Sequence, residues 1–389
     1  MRVSQAVFGV FHHFELAHQL RRHACLQTVY STFPWFRLQR EGLPHQHVKT
    51  FPWIHTPLLL LAKRGLYPGK YTESLDYWNA LLFDRWLTRQ LRNPDEHCDA
   101  LIAISGAALD AGRALQQRGG KYICDRSSTH ARFQAQILEE EFRRWNVPLE
   151  TLDERDTERE ERQYAMADAI VVPSQFAARS FAGFGTPREK IRVIPLGVRL
   201  DTFHPVADPP AGEFGVVFAG QVAIRKGVPY LLEAFAKLRH PRKRLRIVGA
   251  VQAEIRPLLA KLPLDQVEFL GAVPRNELAA ILSASHALVL PSIEDGWGMV
   301  LGEAMACGCP VIASPNCGGE DLFTHGREGF IVPIRDPKAI AERLQQLADD
   351  PNLQQQMRIA ALERVRHLGG WNDYGDRWVS LLKELCGEK

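Results

Sequence analysis

The sequence predicts an α/β protein built from parallel sheets in two consecutive units. Three observations carry this. Short apolar runs of the kind found in strands buried on both faces alternate with helical stretches through most of the chain. The alternation breaks at a Pro/Gly-rich stretch near residues 196–212 and then restarts. At 389 residues, the chain exceeds what one hydrophobic core usually holds.

In the first unit, residues 3–10, 26–30, 100–104, 122–124 and 169–172 read as strands. The run 153–162 alternates in charge sign and reads as a solvent-facing helix surface without chemistry. Pro195-Leu-Gly-Val198 and Asp208-Pro-Pro-Ala-Gly212 mark the linker. Residues 215–219, 245–248, 267–270, 287–290 and 311–313 are the strands of the second unit. In the last segment Trp371, Tyr374, Trp378, Leu381, Leu382 and Leu385 recur at spacings of three and four, a helix packing one stripe on a domain. The expected organisation is a domain over 1–196, a linker over 197–212, a domain over 213–368 and a final helix over 369–389. A ligand belongs in the cleft between the domains, outside the carboxyl ends of the strands.

Composition is that of an ordinary soluble protein, 46% apolar and 24% charged, with net charge +3. The distribution is uneven. Residues 1–70 hold nine Lys or Arg against two acids. Such a surface is either plainly solvated or attracted to an anionic acceptor or membrane. No nucleic-acid motif accompanies it. Seven scattered Cys without a metal or disulfide framework point to reduced thiols and a cytoplasmic setting. The first twelve residues read as an opening strand rather than a signal peptide. The Leu-rich run at 57–64 is too short to span a bilayer and reads first as a buried helix turn, second as an interfacial contact.

The chemistry is concentrated in residues 291–313, PSIEDGWGMVLGEAMACGCPVIA. A buried strand runs into an acidic loop bracketed by Gly296 and Gly298, then a helix from about Met299 to Gly308, then another strand. The helix start offers free N–H groups and a positive dipole end to an anion. Asp295 in the loop and Glu303 on the helix stand beside that anion site, since helical side chains lean toward the N-terminus. An anion site flanked by acids suits a ligand with both phosphate and hydroxyls, such as a sugar nucleotide.

These residues resemble retaining glycosyltransferases of family 4, which have the two-domain GT-B fold. Asp295-Gly-Trp-Gly298 and Glu303-Ala-Met-Ala-Cys-Gly308 match that family's Glu-Gly-Phe-Gly, four residues, Glu-Ala-Met-Ala-Cys-Gly. Val172-Pro-Ser-Gln-Phe176, Lys190-Ile-Arg-Val-Ile-Pro-Leu-Gly-Val198, Phe218-Ala-Gly-Gln-Val-Ala-Ile-Arg-Lys-Gly227 and the glycines 318, 319, 326 and 329 agree with it as well. The match covers about residues 165–370 and is weak over 1–160.

The resemblance implies two Rossmann-like domains facing a cleft, with the last helix packing back on the first domain. It implies that Lys226, with Arg225, neutralises the donor diphosphate as it leaves. Glu303 would hold the ribose. Asp295 and the loop of Gly296, Trp297, Gly298, Met299 and Val300 would hold the donor sugar and its phosphate. Gly220 belongs to the phosphate loop, Val273 to the base pocket, and Gly9 to the N-terminal loop near phosphate and acceptor. The family's N-domain histidine would be His130, with His12 or His13 as alternatives. Two departures stand out: Asp295 replaces the family's Glu, with Glu294 just before it, and Gln221 stands where Arg is common.

The implied reaction is transfer of a hexose-type sugar from a nucleoside diphosphate sugar to a hydroxyl acceptor, with no metal and no cofactor beyond the donor. The acceptor would be a surface-polysaccharide or lipid-linked intermediate, reached by peripheral contact of the basic N-terminal domain with the inner face of the membrane. A weakly catalytic sugar-nucleotide-binding subunit or a GT-B epimerase is the alternative.

Overall fold

The computed structural model of the chain describes residues 1–63, 72–149 and 153–387. It contains two sheets, and every strand pair in both is parallel. The first sheet holds β1 (Val3–Val7), β2 (Leu26–Ser31), β3 (Val48–Thr50), β4 (Ala100–Ile104), β5 (Lys121–Asp125), β6 (Ala169–Val172) and β7 (Ile191–Val193). Their order is β3-β2-β1-β4-β5-β6-β7. The second holds β8 (Phe214–Ala219), β9 (Lys243–Val248), β10 (Val267–Gly271), β11 (Ala287–Leu290), β12 (Val311–Ala313) and β13 (Gly329–Ile331), in the order β10-β9-β8-β11-β12-β13. Strand order reverses between β1 and β4 and again between β8 and β11, the two switch points where an open α/β sheet leaves a crevice.

The central strands are buried along their whole length because helices cover both faces. β3, β7 and β13 were not legible in the sequence. Each has three residues, and each is an outermost strand. An edge strand needs no apolar run to mark it. β1 stops at Val7, earlier than its apolar run, because residues 8–10 bend away.

Three sequence expectations need correction. The charged helix Glu154–Met166 is not merely a solvated face: Arg159 is buried in an ion pair with Asp84, and Gln163 and Tyr164 are buried beside it. The leucines of helix His55–Lys63 are not a buried turn, since Leu60 and Leu61 are 54% and 38% exposed; Arg64 lies outside the described residues. The third concerns the opening strand just noted. No disulfide joins cysteines among the described residues, and six of the seven are buried.

The final helix Gly370–Cys386 packs on helix His13–Arg22, and its Tyr374, Trp378 and Leu382 join the core of the first sheet. The chain therefore crosses back after completing the second domain. At the crossing, a Cβ on Gly197 would lie 2.6 Å from the backbone of Gly370, so only glycine fits there.

Candidate active site

Ala219 at the end of β8 and Leu290 at the end of β11 open onto a cavity of about 410 Å³. Gly220 and Lys226 line it from the loop after β8, Val273 from the loop after β10, and Asp295, Trp297, Gly298, Met299, Val300 and Glu303 from the loop and helix after β11. Nine of the thirteen residues singled out in the sequence thus meet in one cavity. The helix Met299–Ala306 begins at its wall. Gly298 N–H donates to the Cys317 carbonyl and Met299 N–H to that of Trp297. The N–H groups of Gly296, Trp297 and Val300 have no partner among the described residues. Free amides at a helix start form an anion site.

Lys226 and Asp295 form an ion pair at the cavity wall, both side chains nearly buried. Arg225 lies behind them. Its Nη1 donates to the Glu294 carbonyl at 2.8 Å and stands 3.9 Å from Asp295 Oδ1, and its side chain faces a separate hollow beside Gln134 and Leu138 rather than this cavity. Glu294, one residue away, points in the opposite direction from Asp295. Its carboxylate is fully buried in the first domain, accepting from Ser128 Oγ at 2.5 Å, Thr129 Oγ1 at 2.8 Å and Gln134 Nε2 at 2.8 Å. Burial opposes its ionisation, but Arg225 and those three donors outweigh it and hold the carboxyl below the usual range. Adjacent acids are thereby divided between the cavity and the domain interface.

Gly296 sits in the same interface rather than on the cavity wall. A Cβ there would lie 2.2 Å from the Ser127 carbonyl oxygen. Its own carbonyl accepts from Ser174 Oγ at 2.8 Å. The loop therefore needs glycine because another backbone approaches it.

Glu303 reaches back to the cavity from the second turn of its helix. Burial raises its carboxyl to about 7, against the partial opposition of Arg275 and Arg199. A carboxyl so placed is a strong acceptor for ligand hydroxyls when ionised.

Across the cleft, a second cavity of about 430 Å³ is lined by Phe11, His12, Arg199, Arg275 and Trp371, and shares Trp297 and Met299 with the first. His12 Nε2 lies 2.8 Å from Asp125 Oδ2 at the end of β5, and His13 Nε2 lies 3.4 Å from the same oxygen. Complete burial and the neighbouring His12 depress His13 to about 3, so it is neutral. These three side chains are the one group among the described residues whose donor atoms could together hold a metal ion. His130 lies elsewhere: its ring stacks on Phe184 at 4.6 Å and accepts from the Arg132 N–H, capping helix Ala131–Arg144. Gly9 also lines neither cavity, its N–H donating to Thr32 Oγ1 at 3.0 Å, while Val10 and Phe11 beside it reach the second one.

Two parallel-sheet domains, with a helix-start anion site and flanking carboxylates in the cleft between them, define a protein of the GT-B class. Family comparison gives the same answer. The profile "Glycosyl transferases group 1" matches residues 201–364 and the profile "Glycosyltransferase Family 4" matches residues 9–202. The chain belongs to the family-4 glycosyltransferases. It is 33% identical over 225 residues to a D-inositol 3-phosphate glycosyltransferase of Pseudarthrobacter chlorophenolicus, covering 53% of each chain. It is 30% identical over 193 residues to the Escherichia coli colanic acid biosynthesis glycosyltransferase WcaL, described as putative, covering 46% of this chain and 48% of that one. The chain thus spans about half the length of the curated relatives it matches. In fold it is similar to sucrose-phosphate synthase of Thermosynechococcus elongatus, with TM-score 0.74 at 22% identity over 100% of this chain and 99% of that one. It is also similar to Anabaena HepE in complex with UDP-glucose, with TM-score 0.69 at 17% identity over 99% and 100%.

Proposed function

We propose that this protein transfers a hexose-type sugar from a nucleoside diphosphate sugar to a hydroxyl acceptor with retention at the anomeric carbon. The observation that carries this reading is the convergence of Lys226, Asp295, Glu303 and the unpartnered amides of the helix start on one cavity. The donor diphosphate would take the helix start and Lys226, displacing Lys226 from Asp295. Asp295 would then accept from the sugar hydroxyls and Glu303 from the ribose. The bond from the anomeric carbon to the diphosphate oxygen breaks, the acceptor oxygen bonds that carbon on the same face, and the acceptor proton passes to the departing diphosphate. Lys226 is placed where the leaving charge develops, so protein cations do the electrostatic work and neither a metal nor a further cofactor is required by this scheme. The second cavity, on the His12 side, is where the acceptor would enter.

A UDP-sugar is the first donor to test, since the similar fold of Anabaena HepE is known in complex with UDP-glucose. The acceptor belongs to surface polysaccharide or glycolipid synthesis, a reading supported by the similarity to WcaL and by the basic first 70 residues. Its site of action would be the cytoplasmic face of the membrane. Among the described residues no helix is long and apolar enough to cross a membrane. The test is a thermal-shift screen against UDP-, GDP- and ADP-sugars, followed by assay for released nucleoside diphosphate. A donor at 100 times its dissociation constant should stabilise the protein by about 2.7 kcal/mol. No shift with any of the three, and no release, would overturn the reading.

A further inference from the structure

Helices Thr72–Leu91 and Leu109–Gln116 pack side by side on the first domain, well apart in the chain from every residue of the donor cavity. Between them lies a concavity of about 350 Å³. Arg85, Arg89, Arg92 and Arg113 line it, with Asp110 the only acid among its lining residues. Spacings of four and three place Arg85, Arg89 and Arg92 on one helical face. None of the four guanidinium groups has an ion pair or hydrogen bond among the described residues. Exposed arginines elsewhere, such as Arg143 and Arg179, are paired with acids.

The bland account is that cations near helix C-termini complement the macrodipole. It covers Arg89 and Arg113, each in the last turn of its helix. It does not cover Arg85, nor the convergence of four cations from two helices on one hollow. Like charges at these spacings repel by a few tenths of a kcal/mol per pair, so the cluster is mildly unfavourable unless an anion completes it. The same face continues toward the helix start with Leu82 and Trp78, 36% and 48% exposed. Trp78, Leu82, Arg85, Arg89 and Arg92 thus make one stripe, apolar at one end and cationic at the other.

We propose that this concavity is a binding site for phosphate groups. Guanidinium forks bind phosphate oxygens in pairs, and four of them around one hollow match a multivalent phosphate better than a single carboxylate. The phosphate can come from lipid headgroups or from a free polyphosphate. The exposed Trp78 and Leu82 fit the headgroup level of a bilayer, where an amphipathic face lies flat. The site does not depend on the transfer reaction proposed above.

The test uses the full chain carrying Lys226→Ala, so that the donor cavity does not contribute to phosphate binding. Pyrophosphate binding is measured by calorimetry. Sedimentation with vesicles of phosphatidylglycerol and phosphatidylcholine is compared with phosphatidylcholine alone. Wild-type arginines should give salt-sensitive binding in at least one arm. Replacing Arg85, Arg89 and Arg113 together by Ala should weaken it by on the order of 100-fold with an unchanged melting temperature. Binding to anionic vesicles that Trp78→Ala also weakens identifies the headgroup as the source, and pyrophosphate binding indifferent to Trp78→Ala identifies free phosphate. No binding in either arm, or equal binding by the triple variant, overturns the proposal.

Discussion

Lys226 and Asp295 form an ion pair at the cavity wall. Removing Lys226 leaves Asp295 without its cation and, in the proposed reaction, would strip the leaving diphosphate of the lysine charge placed beside it. Lys226→Ala should lower kcat by about 10²–10³, the cost of deleting one preorganised group that stabilises developing negative charge. Single-turnover release of nucleoside diphosphate measures it. The neighbouring acids separate cleanly. Asp295→Asn keeps the shape of the cavity but loses an acceptor for sugar hydroxyls, so transfer should fall while the melting temperature stays near wild type. Glu294→Ala should do the reverse, costing about 1–3 kcal/mol of stability because Ser128, Thr129 and Gln134 lose a buried partner. If Asp295→Asn proved fully active, the sugar-contact role would have to move elsewhere.

Glu303 makes a pH-dependent prediction whose sign is fixed by its raised carboxyl. The unfolded chain releases this proton near the ordinary 4.5, and the folded chain keeps it to about 7. Between those values the folded state binds the extra proton, so this group's contribution to stability falls as pH rises from about 4.5 to about 7. Above that window the ionised, buried carboxylate is a standing cost in the ligand-free protein. Glu303→Gln should remove this slope, melting at least as high as wild type at pH 8 while losing donor affinity. Urea titrations across the window, with and without donor, separate the two effects.

At the scale of elements, the helix Ala131–Arg144 and the residues just before it tie the domains together at both ends. Near its start, Glu294 of the second domain enters between Ser128, Thr129 and Gln134. Near its end, its own Glu141 enters the second domain, accepting from Tyr230 Oη at 2.7 Å and Arg335 Nε at 2.6 Å. Just before the helix start lie the backbone contacts of Gly296, and Gly296→Ala should lower the melting temperature by several degrees, since the new Cβ would overlap the Ser127 carbonyl oxygen. This layer shows where sequence reading stops. The loop from Pro291 and the helix after it were legible because a helix start with glycines and acids at fixed offsets has its chemistry within one short segment. Glu294 was legible only as a rival for Asp295, because its partners lie some 160 positions earlier in the chain. Gly296 carried a donor-binding reading although its constraint comes from the other domain. His130 looked like a site residue by its place after a strand, but a histidine at a helix start also caps it, and aromatic neighbours from distant segments fill the space around its ring. His12 and Asp125 meet only through the pairing of β1 with β4 and β4 with β5, which no local pattern states.

On the scale of the whole molecule, the two carboxylate ties act against opening of the cleft, and the chain passes between the domains twice, touching itself where Gly197 meets Gly370. Each carboxylate takes most of its hydrogen bonds from the opposite domain, so opening the cleft would leave Glu294 with Arg225 alone and Glu141 with Trp145 Nε1 alone. The cross-domain bonds to charged groups would be exchanged for water, at about 1.5–3 kcal/mol each, and the closed arrangement should therefore be favoured before any donor binds. Replacing Glu141 and Glu294 together by Gln removes both charges while keeping the side-chain size, which lowers the cost of opening. The expected result is a larger radius of gyration by solution X-ray scattering in the ligand-free variant, returning to the wild-type value at saturating donor. The apparent donor dissociation constant should rise by the reciprocal of the fraction still closed. Glu303→Gln is the matched control: it should weaken donor binding with no change in radius of gyration, because its contact lies inside one domain. If the double variant bound donor as tightly as wild type and scattered identically, closure would have to be held by the linker crossing and the backbone contacts around Gly296 rather than by the two acids.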